Sequence, residues 1–329
     1  MQDSFQAFRI HAGKEFERAG LESLTLNDLS PGEVVIKVAY SSVNYKDALA
    51  GSGKGKILRK SPLNGGIDLA GTVISSDSDQ FKAGQSVLVN GSGLSEVHDG
   101  GYSQYARVPA DWIVPMPVGL NAKKSMIIGT AGFTAALAIE RLQDNHQTPD
   151  QGPILITGAT GGVGSFAVQL LAQLGYEVVA VTRKQHMHDY LYSLGASNIV
   201  NYDIMKIDDT SMHKGLWGGA IDNLGGDTLA WLTKSVKPWG NIVSIGMAGG
   251  VNVNTTAMPF ILRGISLLGV TSAACPQILR KKIWQKLGDE LQPRKLDQVC
   301  SAEVGLEQLP EAFSNLIDGQ VCGRQLVCL

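Results

Sequence analysis

The chain has 329 residues, 44% hydrophobic and 18% charged, enough for one large globular domain or two ordinary ones. A formal net charge of -2 leaves no global footprint for nucleic acid, and no uninterrupted apolar run approaches the roughly 20 residues of a membrane span. Met1 to Lys14 lacks the apolar core of a secretory leader, and Cys275, Cys300, Cys322 and Cys328 form no CxxC pair. A reducing compartment, by default the cytoplasm, is expected.

Residues up to about Met116 read as β-rich. Val34 to Val38 follows the turn Pro31-Gly32-Glu33. Gly66 to Ile74 reads as a strand pierced by glycines, Gln85 to Val89 as a third, and Gly100-Gly101-Tyr102 opens a fourth carrying Tyr105 and Val108. Short strands punctuated by Gly and Pro suggest a compact barrel-like unit. From about Ala122 the period changes. Ala131 to Leu142 suits an alanine-rich helix, followed by the apolar strand Ile154-Leu155-Ile156, a glycine loop and a helix over Phe166 to Leu174. Strands at Glu177 to Thr182, Ile199-Val200, Gly219 to Ile221 and Ile242 to Ile245, with a helix at His188 to Leu194, continue the alternation. That order predicts a parallel, doubly wound sheet, so the fold class is α/β. A helix near Ile283 to Leu291 and a short strand at Gln325 to Val327 close the chain.

The loop Thr157-Gly158-Ala159-Thr160-Gly161-Gly162-Val163-Gly164 lies directly between a strand and a helix. Glycines there let the backbone approach a pyrophosphate, and the helix start offers free N–H groups; the alternative is a turn without ligand. Gly158, Gly161, Gly162, Val163 and Gly164 are therefore candidate dinucleotide contacts. The next strand ends Val181-Thr182-Arg183-Lys184, where an NAD site usually places an acid. A hydroxyl and two cations, with His186 as a further donor, favour the 2′-phosphate of NADPH, unless Arg183 and Lys184 form only a solvated turn.

With these elements in place, the chain resembles the medium-chain dehydrogenase/reductase superfamily over nearly its whole length. Zinc enzymes of that superfamily carry a Cys-His pair where this chain has Asn44-Tyr45, and a Gly-His-Glu where it has Gly66-Ile67-Asp68. No cysteine precedes Cys275, so no metal ligand set is expected. The similarity is closest to the bacterial quinone oxidoreductase subgroup that includes acryloyl-CoA reductase. It rests on Ser42 to Leu49, Gly53-Lys54-Gly55-Lys56, Met126 to Ala135, Ser193 to Ser197, Met258 to Arg263 and Gly323-Arg324.

The resemblance implies a GroES-like catalytic domain over residues 1–125 and 273–329, and a Rossmann NADPH-binding domain over 126–272. It implies hydride transfer from NADPH to an activated alkene such as acryloyl-CoA, or to a quinone. A third reading is a non-catalytic NADPH-binding sensor or RNA-binding protein, against which the near-neutral charge argues. Asn44, Tyr45, Asp68 and Arg324 are the candidate catalytic residues. Tyr45 either donates the proton or positions substrate while solvent donates it. Asp68 is either catalytic or a structural acceptor, and Arg324 either reaches cofactor or substrate or forms an ion pair. Further cofactor contacts are assigned to Tyr45, Thr130, Thr134, Tyr202, Met247, Ile261 and Ser272. Lys54, Lys56, Arg59 and Lys60 form a basic loop, either a solvated surface or a handle for the phosphates of a CoA thioester. The apolar strand from Leu267 suggests a homodimer, since an open apolar edge invites pairing.

Overall fold

In a computed structural model the protein is described over residues 4–12, 18–205, 207 and 210–329, so part of the Met1 to Lys14 stretch lies outside the described residues. The chain forms two compact units: Met1–Phe133 with Ser272–Gln292 and Leu296–Leu329, and Thr134–Thr271 with Pro293–Lys295. The first division falls inside the helix Ala122–Asp144, where no shift in composition marks it.

In unit one the strand Val34–Ser42 is the hub of a seven-stranded sheet. It pairs antiparallel with Asp68–Ser76, Tyr105–Val108 and Arg324–Cys328. Ser86–Asn90 and Val114–Pro115 extend the sheet on one side, and Cys300–Val304 pairs parallel with Arg324–Cys328 on the other. Alternate residues Val34, Ile36 and Val38 pack on Leu69, Val73, Val87 and Val89, as the period of two in an antiparallel sheet demands. The strand expected from Gly66 begins only at Asp68, because Gly66 has φ +92, a left-handed conformation that breaks an extended run. Gly71, inside the strand, lies so close to the Lys37 carbonyl that a Cβ has no room.

Three elements left no clear period in the sequence. Phe5–His11 and Arg18–Leu24 pair antiparallel, in register from Phe5 with Leu24 to His11 with Arg18. The helix Tyr45–Gly51 is too short for periodicity, and packs on Leu309–Ile317 with the Phe313 ring seated where Gly51 has no side chain.

Unit two is a six-stranded, wholly parallel sheet in the order Asn198–Asn201, Val178–Thr182, Ile154–Ile156, Trp217–Asp222, Val236–Ser244, Ser266–Gly269. Its central strands are continuous apolar runs because helices cover both faces of such sheets. The helices Gly162–Gln173, His188–Leu194 and Gly226–Ser235 alternate with the strands.

One expectation needs correction. Although no uninterrupted apolar run is long enough, the 23-residue helix Ala122–Asp144 meets the length and apolarity of a membrane span. Its apolar window is 89% buried inside the protein, and Gly129 (φ 48, ψ -159) breaks it into two segments. Met126, Ile127, Ile128, Phe133, Leu137 and Ile139, together with the alanines, give it that character, interrupted by Gly and Thr.

Candidate functional site

The strand Asp68–Ser76 starts with a carboxylate that is wholly buried in unit one. Asp68 Oδ2 accepts from Ser42 Oγ (2.6 Å), Asn44 Nδ2 (2.8 Å) and the Thr130 backbone N–H (2.9 Å), and Oδ1 accepts from Thr130 Oγ1 (2.6 Å). Thr130 is available because Gly129 interrupts the helix just before it, freeing an N–H that a continuous helix would use internally. A Cβ on Gly129 would lie 2.7 Å from both Arg324 Nη2 and Ser42 Oγ and 2.8 Å from Asp68 Oδ2, so glycine is required by space as well as by φ. Arg324, 4% exposed, places Nη2 3.9 Å from Asp68 Oδ2. Its Nη1 donates to the Val43 carbonyl (2.9 Å) and Asn44 Oδ1 (3.0 Å), and its Nε to the Ile127 carbonyl (3.2 Å).

Asn44 thus has its amide clamped from both ends, and it is the residue preceding the helix Tyr45–Gly51. The structure brings Asn44, Asp68, Thr130 and Arg324 into one network, with Tyr45 next along the chain. Of these, only Tyr45 presents a large exposed face, at 47%. Asp68 is spent on the Ser42, Asn44 and Thr130 donors, and Arg324 donates to Asn44 and to two backbone carbonyls.

Beneath this network lies a second buried carboxylate that the sequence reading missed. Asp47 accepts from the Ile67 N–H (2.9 Å), the Asn44 N–H (3.0 Å) and Asn44 Nδ2 (3.1 Å). Burial, and then the charge of Asp68, raise its pKa to about 7. The phenol of Tyr102, also missed, donates to the Ser42 carbonyl (3.1 Å), and burial followed by the Asp47 charge pushes its pKa well up. The signal for Asp47 was present: Asn44 followed by an acid three residues later is a helix-start pattern, satisfied here by the Asn44 N–H to Asp47 bond.

In unit two, the Gly158 loop joins Ile154–Ile156 to Gly162–Gln173, with Gly158 at φ +58. A Cβ at Gly164 would press to 2.6 Å from Ala159 Cα, so Gly164 seats the helix on the loop. A Cβ at Gly161 would meet only the Gly158 carbonyl, at 3.4 Å, and otherwise project into open space at the crest. The N–H groups of Gly162, Val163 and Gly164 belong to the first turn, which a helix cannot satisfy itself. A bare backbone crest with free donors fits a dinucleotide pyrophosphate. The loop is anchored by Asp222, another residue missed: it accepts from Thr157 Oγ1 (2.7 Å) and the Gly225 N–H (2.7 Å), and burial raises its pKa.

At the end of Val178–Thr182 the Thr182 Oγ1 accepts from the Lys184 N–H (3.0 Å), and Arg183, Lys184 and His186 follow on the surface. The guanidinium of Arg183 lies 4.0 Å from the centroid of the Tyr202 ring, and Tyr202 OH bonds Thr228 Oγ1 at 2.8 Å. The strand's own end is free of acid, as read from sequence, but the turn after Asn198–Asn201 brings Asp203 to 2.9 Å from Arg183 Nε. Both side chains are more than half exposed.

Thr134 is buried further along the same long helix, Met247 is exposed after Val236–Ser244, and Ile261 is exposed on Met258–Arg263. Ser272 belongs to unit one, where its carbonyl accepts from Arg280 Nη2 at 3.0 Å.

Two family models match the chain: alcohol dehydrogenase GroES-like domain over residues 30–118, and zinc-binding dehydrogenase over residues 162–289. The probable acrylyl-CoA reductase AcuI of Escherichia coli is 45% identical, over 94% of this chain and 95% of its own. The putative quinone oxidoreductase YhfP of Bacillus subtilis is 42% identical over the full length of both; a crystal structure of yhfP with NAD bound gives a TM-score of 0.95 over 99% of each chain. The yhdH oxidoreductase of Salmonella enterica in complex with NADP gives 0.94 at 43% identity, over 98% of this chain and 99% of that one. The residues present do not fit the zinc ion that the second model's description implies. Among the described residues no three His, Cys, Asp or Glu side chains converge, and the Asp68 oxygens already accept four hydrogen bonds.

The raised pKa of Asp47 has a measurable consequence. Its folded value, about 7, exceeds the usual 3.8, so the folded protein holds a proton that the unfolded chain releases. That stabilisation is complete below about pH 4 and disappears as pH rises through about 7. Urea unfolding of wild type and Asp47→Asn at pH 5 and pH 8 should show the variant's deficit shrinking at the higher pH. A deficit that stays constant would mean that Asp47 titrates normally.

Proposed function

The chain belongs to the medium-chain dehydrogenase/reductase family, in its zinc-independent branch of acrylyl-CoA reductases and quinone oxidoreductases, and we propose that it is an NADPH-dependent oxidoreductase that saturates the activated double bond of an acryloyl-CoA-type thioester. The observation that carries this reading is a buried hydrogen-bond network of Asn44, Asp68, Thr130 and Arg324, in the place of a metal site, which seats one exposed phenol, Tyr45. Bound NADPH supplies a hydride to the β-carbon of such a substrate. The protein must then stabilise charge at the thioester oxygen and deliver a proton to the α-carbon, giving the saturated thioester and NADP⁺.

Tyr45 suits the first of these tasks. Its backbone is fixed by Asn44, which Asp68 and Arg324 hold, so the phenol is aimed without a search through backbone conformations. Asp68 and Arg324 act as positioning residues for Asn44, with their charges matched inside the network. The Gly158–Gly164 loop is assigned to the pyrophosphate, and Arg183, Lys184, Thr182 and His186 to the 2′-phosphate, with Tyr202 supporting Arg183. Quinone reduction remains the second reading, since a phenol that stabilises an enolate oxygen serves a quinone oxygen equally.

We also propose a homodimer. The strand Ser266–Gly269 lies at a sheet edge with Leu267 exposed, and Trp239, Ile261 and Leu262 add exposed apolar surface to the same unit. A near-neutral net charge favours a small-molecule substrate over nucleic acid, and the cytoplasm is the proposed location.

Following NADPH oxidation with acryloyl-CoA, then with 1,4-benzoquinone, tests the reading: a CoA-selective rate supports it, a quinone-only rate favours the second, and no rate with either rejects both. Tyr45→Phe should lower turnover about 100-fold, in the range for losing one oxyanion donor, whereas unchanged turnover would remove Tyr45 from the chemistry. Replacing Arg183 and Lys184 together by Ala should raise the KM for NADPH about tenfold or more, given roughly 1.5 kcal/mol or more for each charged hydrogen bond. The KM for NADH should stay unchanged; a parallel rise would place these cations elsewhere in function. Sedimentation should give twice the 35.0 kDa chain mass, and a monomer would exclude the dimer.

A further inference from the structure

The basic loop after the helix Tyr45–Gly51 takes no part in the network described above. Between Asp47 and Asp68 the chain carries Lys54, Lys56, Arg59 and Lys60 and no acid. All four side chains are exposed, and none forms an ion pair among the described residues. The loop is nonetheless held in place. The Arg59 and Lys60 N–H groups both donate to the Glu96 carbonyl, at 2.7 and 3.3 Å, and the Glu96 carboxylate pairs with Lys46, the neighbour of Tyr45. The charge of Arg59 also reaches Lys46, whose pKa is lowered first by burial and opposed by Asp47 before Arg59 adds to the fall. Glu96 thus ties the loop at Arg59 and Lys60 to Lys46 on the Tyr45 helix.

Beside the loop is a cavity of about 210 Å³. Ala19, Ala50, Ile57 and Leu58 give it apolar walls, while His11 and Lys56 supply polar groups. A cavity with a mixed polar and apolar lining, next to exposed cations, suits a flat aromatic base joined to phosphates better than a small uncharged quinone. The cavity is lined by Ala50 and Gly51, at the C-terminal end of the helix that Tyr45 begins. At about 1.5 Å rise per residue that helix separates the two by roughly 9 Å, a span an extended pantetheine arm can cover.

We propose that this loop and cavity form the docking site for the 3′-phospho-ADP end of a CoA thioester: the base occupies the cavity, the phosphates meet Lys54, Lys56, Arg59 and Lys60, and the acyl group is delivered to Tyr45. The proposal rests on the thioester reading of the activity and deepens it from a reacting group to a recognised carrier. Charge complementarity of this kind acts on affinity and encounter rate, leaving the chemical step untouched.

Titration calorimetry with free CoA tests the site independently of turnover. Saturating NADP⁺ is included so that CoA cannot occupy the dinucleotide loop. The variant Lys54→Ala/Lys56→Ala should weaken CoA binding about tenfold, while Lys124→Ala/Lys281→Ala, which removes the same charge from exposed positions elsewhere in unit one, should leave it within about twofold. Thermal melting of both variants checks that they fold. In steady state the loop variant should raise the KM for acryloyl-CoA with kcat retained, and leave the KM for the N-acetylcysteamine thioester of acrylate unchanged. Absence of CoA binding to wild type, equal binding by wild type and the loop variant, or equal weakening by both variants would each overturn the site. Failure of the thioester activity itself appears separately, as wild-type enzyme that binds CoA yet oxidises no NADPH with acryloyl-CoA.

Discussion

Withdrawing a carboxylate from water costs several kcal/mol unless fixed charges and hydrogen bonds replace the solvent, and around Asp68 they come from four residues in three separated parts of the chain. Ser42 ends one strand, Asn44 precedes a helix, Thr130 starts the second segment of a broken helix, and Arg324 begins the last strand of unit one. Each satisfies Asp68 only if its own element is in register, so the buried charge couples local geometry to the whole unit. Removing one partner would leave a charge unpaired in a dry interior, a far larger penalty than the loss of a surface ion pair. The Gly129 break follows from the same requirement, since only a glycine at positive φ lets three polar side chains close at that point.

Asp47 makes the arrangement more than a scaffold. Two buried carboxylates within electrostatic reach resist ionising together, and the one with the weaker set of partners keeps its proton. Asp68 has a guanidinium nearby and two side-chain hydroxyl donors, whereas Asp47 relies on Asn44 and one further amide. The proton therefore belongs to the pair, and it lies one hydrogen-bonded residue away from Tyr45. The phenol follows Asn44, which is hydrogen-bonded to a carboxyl, that of Asp47, whose charge state shifts near neutrality.

Much of this was legible in the sequence and some was not, for identifiable reasons. The Rossmann unit announced itself because apolar runs, a glycine loop and a helix follow one another within a short span, and short-range order survives in sequence. Asn44, Tyr45, Asp68 and Arg324 were found through resemblance, yet nothing local to either residue pairs Asp68 with Arg324. Their partnership spans most of the chain, and periodicity carries no information at that range. Asp222 and Asp203 were missed for the same reason: each acts across the sheet on a neighbouring strand's end. Asp47 was different, since its helix-start pattern was local and was masked only by the shortness of the helix. The N-terminal strands escaped because neither carries a clean alternation of polar and apolar residues.

The pairing of Arg183 with Asp203 carries a consequence for how dinucleotides are told apart. A guanidinium that already rests on the Tyr202 ring and against a carboxylate is oriented before any ligand arrives. Asp203 meets the guanidinium through Nε, and the fork carries further N–H donors for the 2′-phosphate proposed to bind there. Selection then depends on how well a second anion fits beside Asp203 on one cation. A phosphate monoester surrenders its second charge near pH 6. Under that assignment, preference for NADPH should be sharper in mildly alkaline surroundings, where the phosphate carries both charges, than in acid.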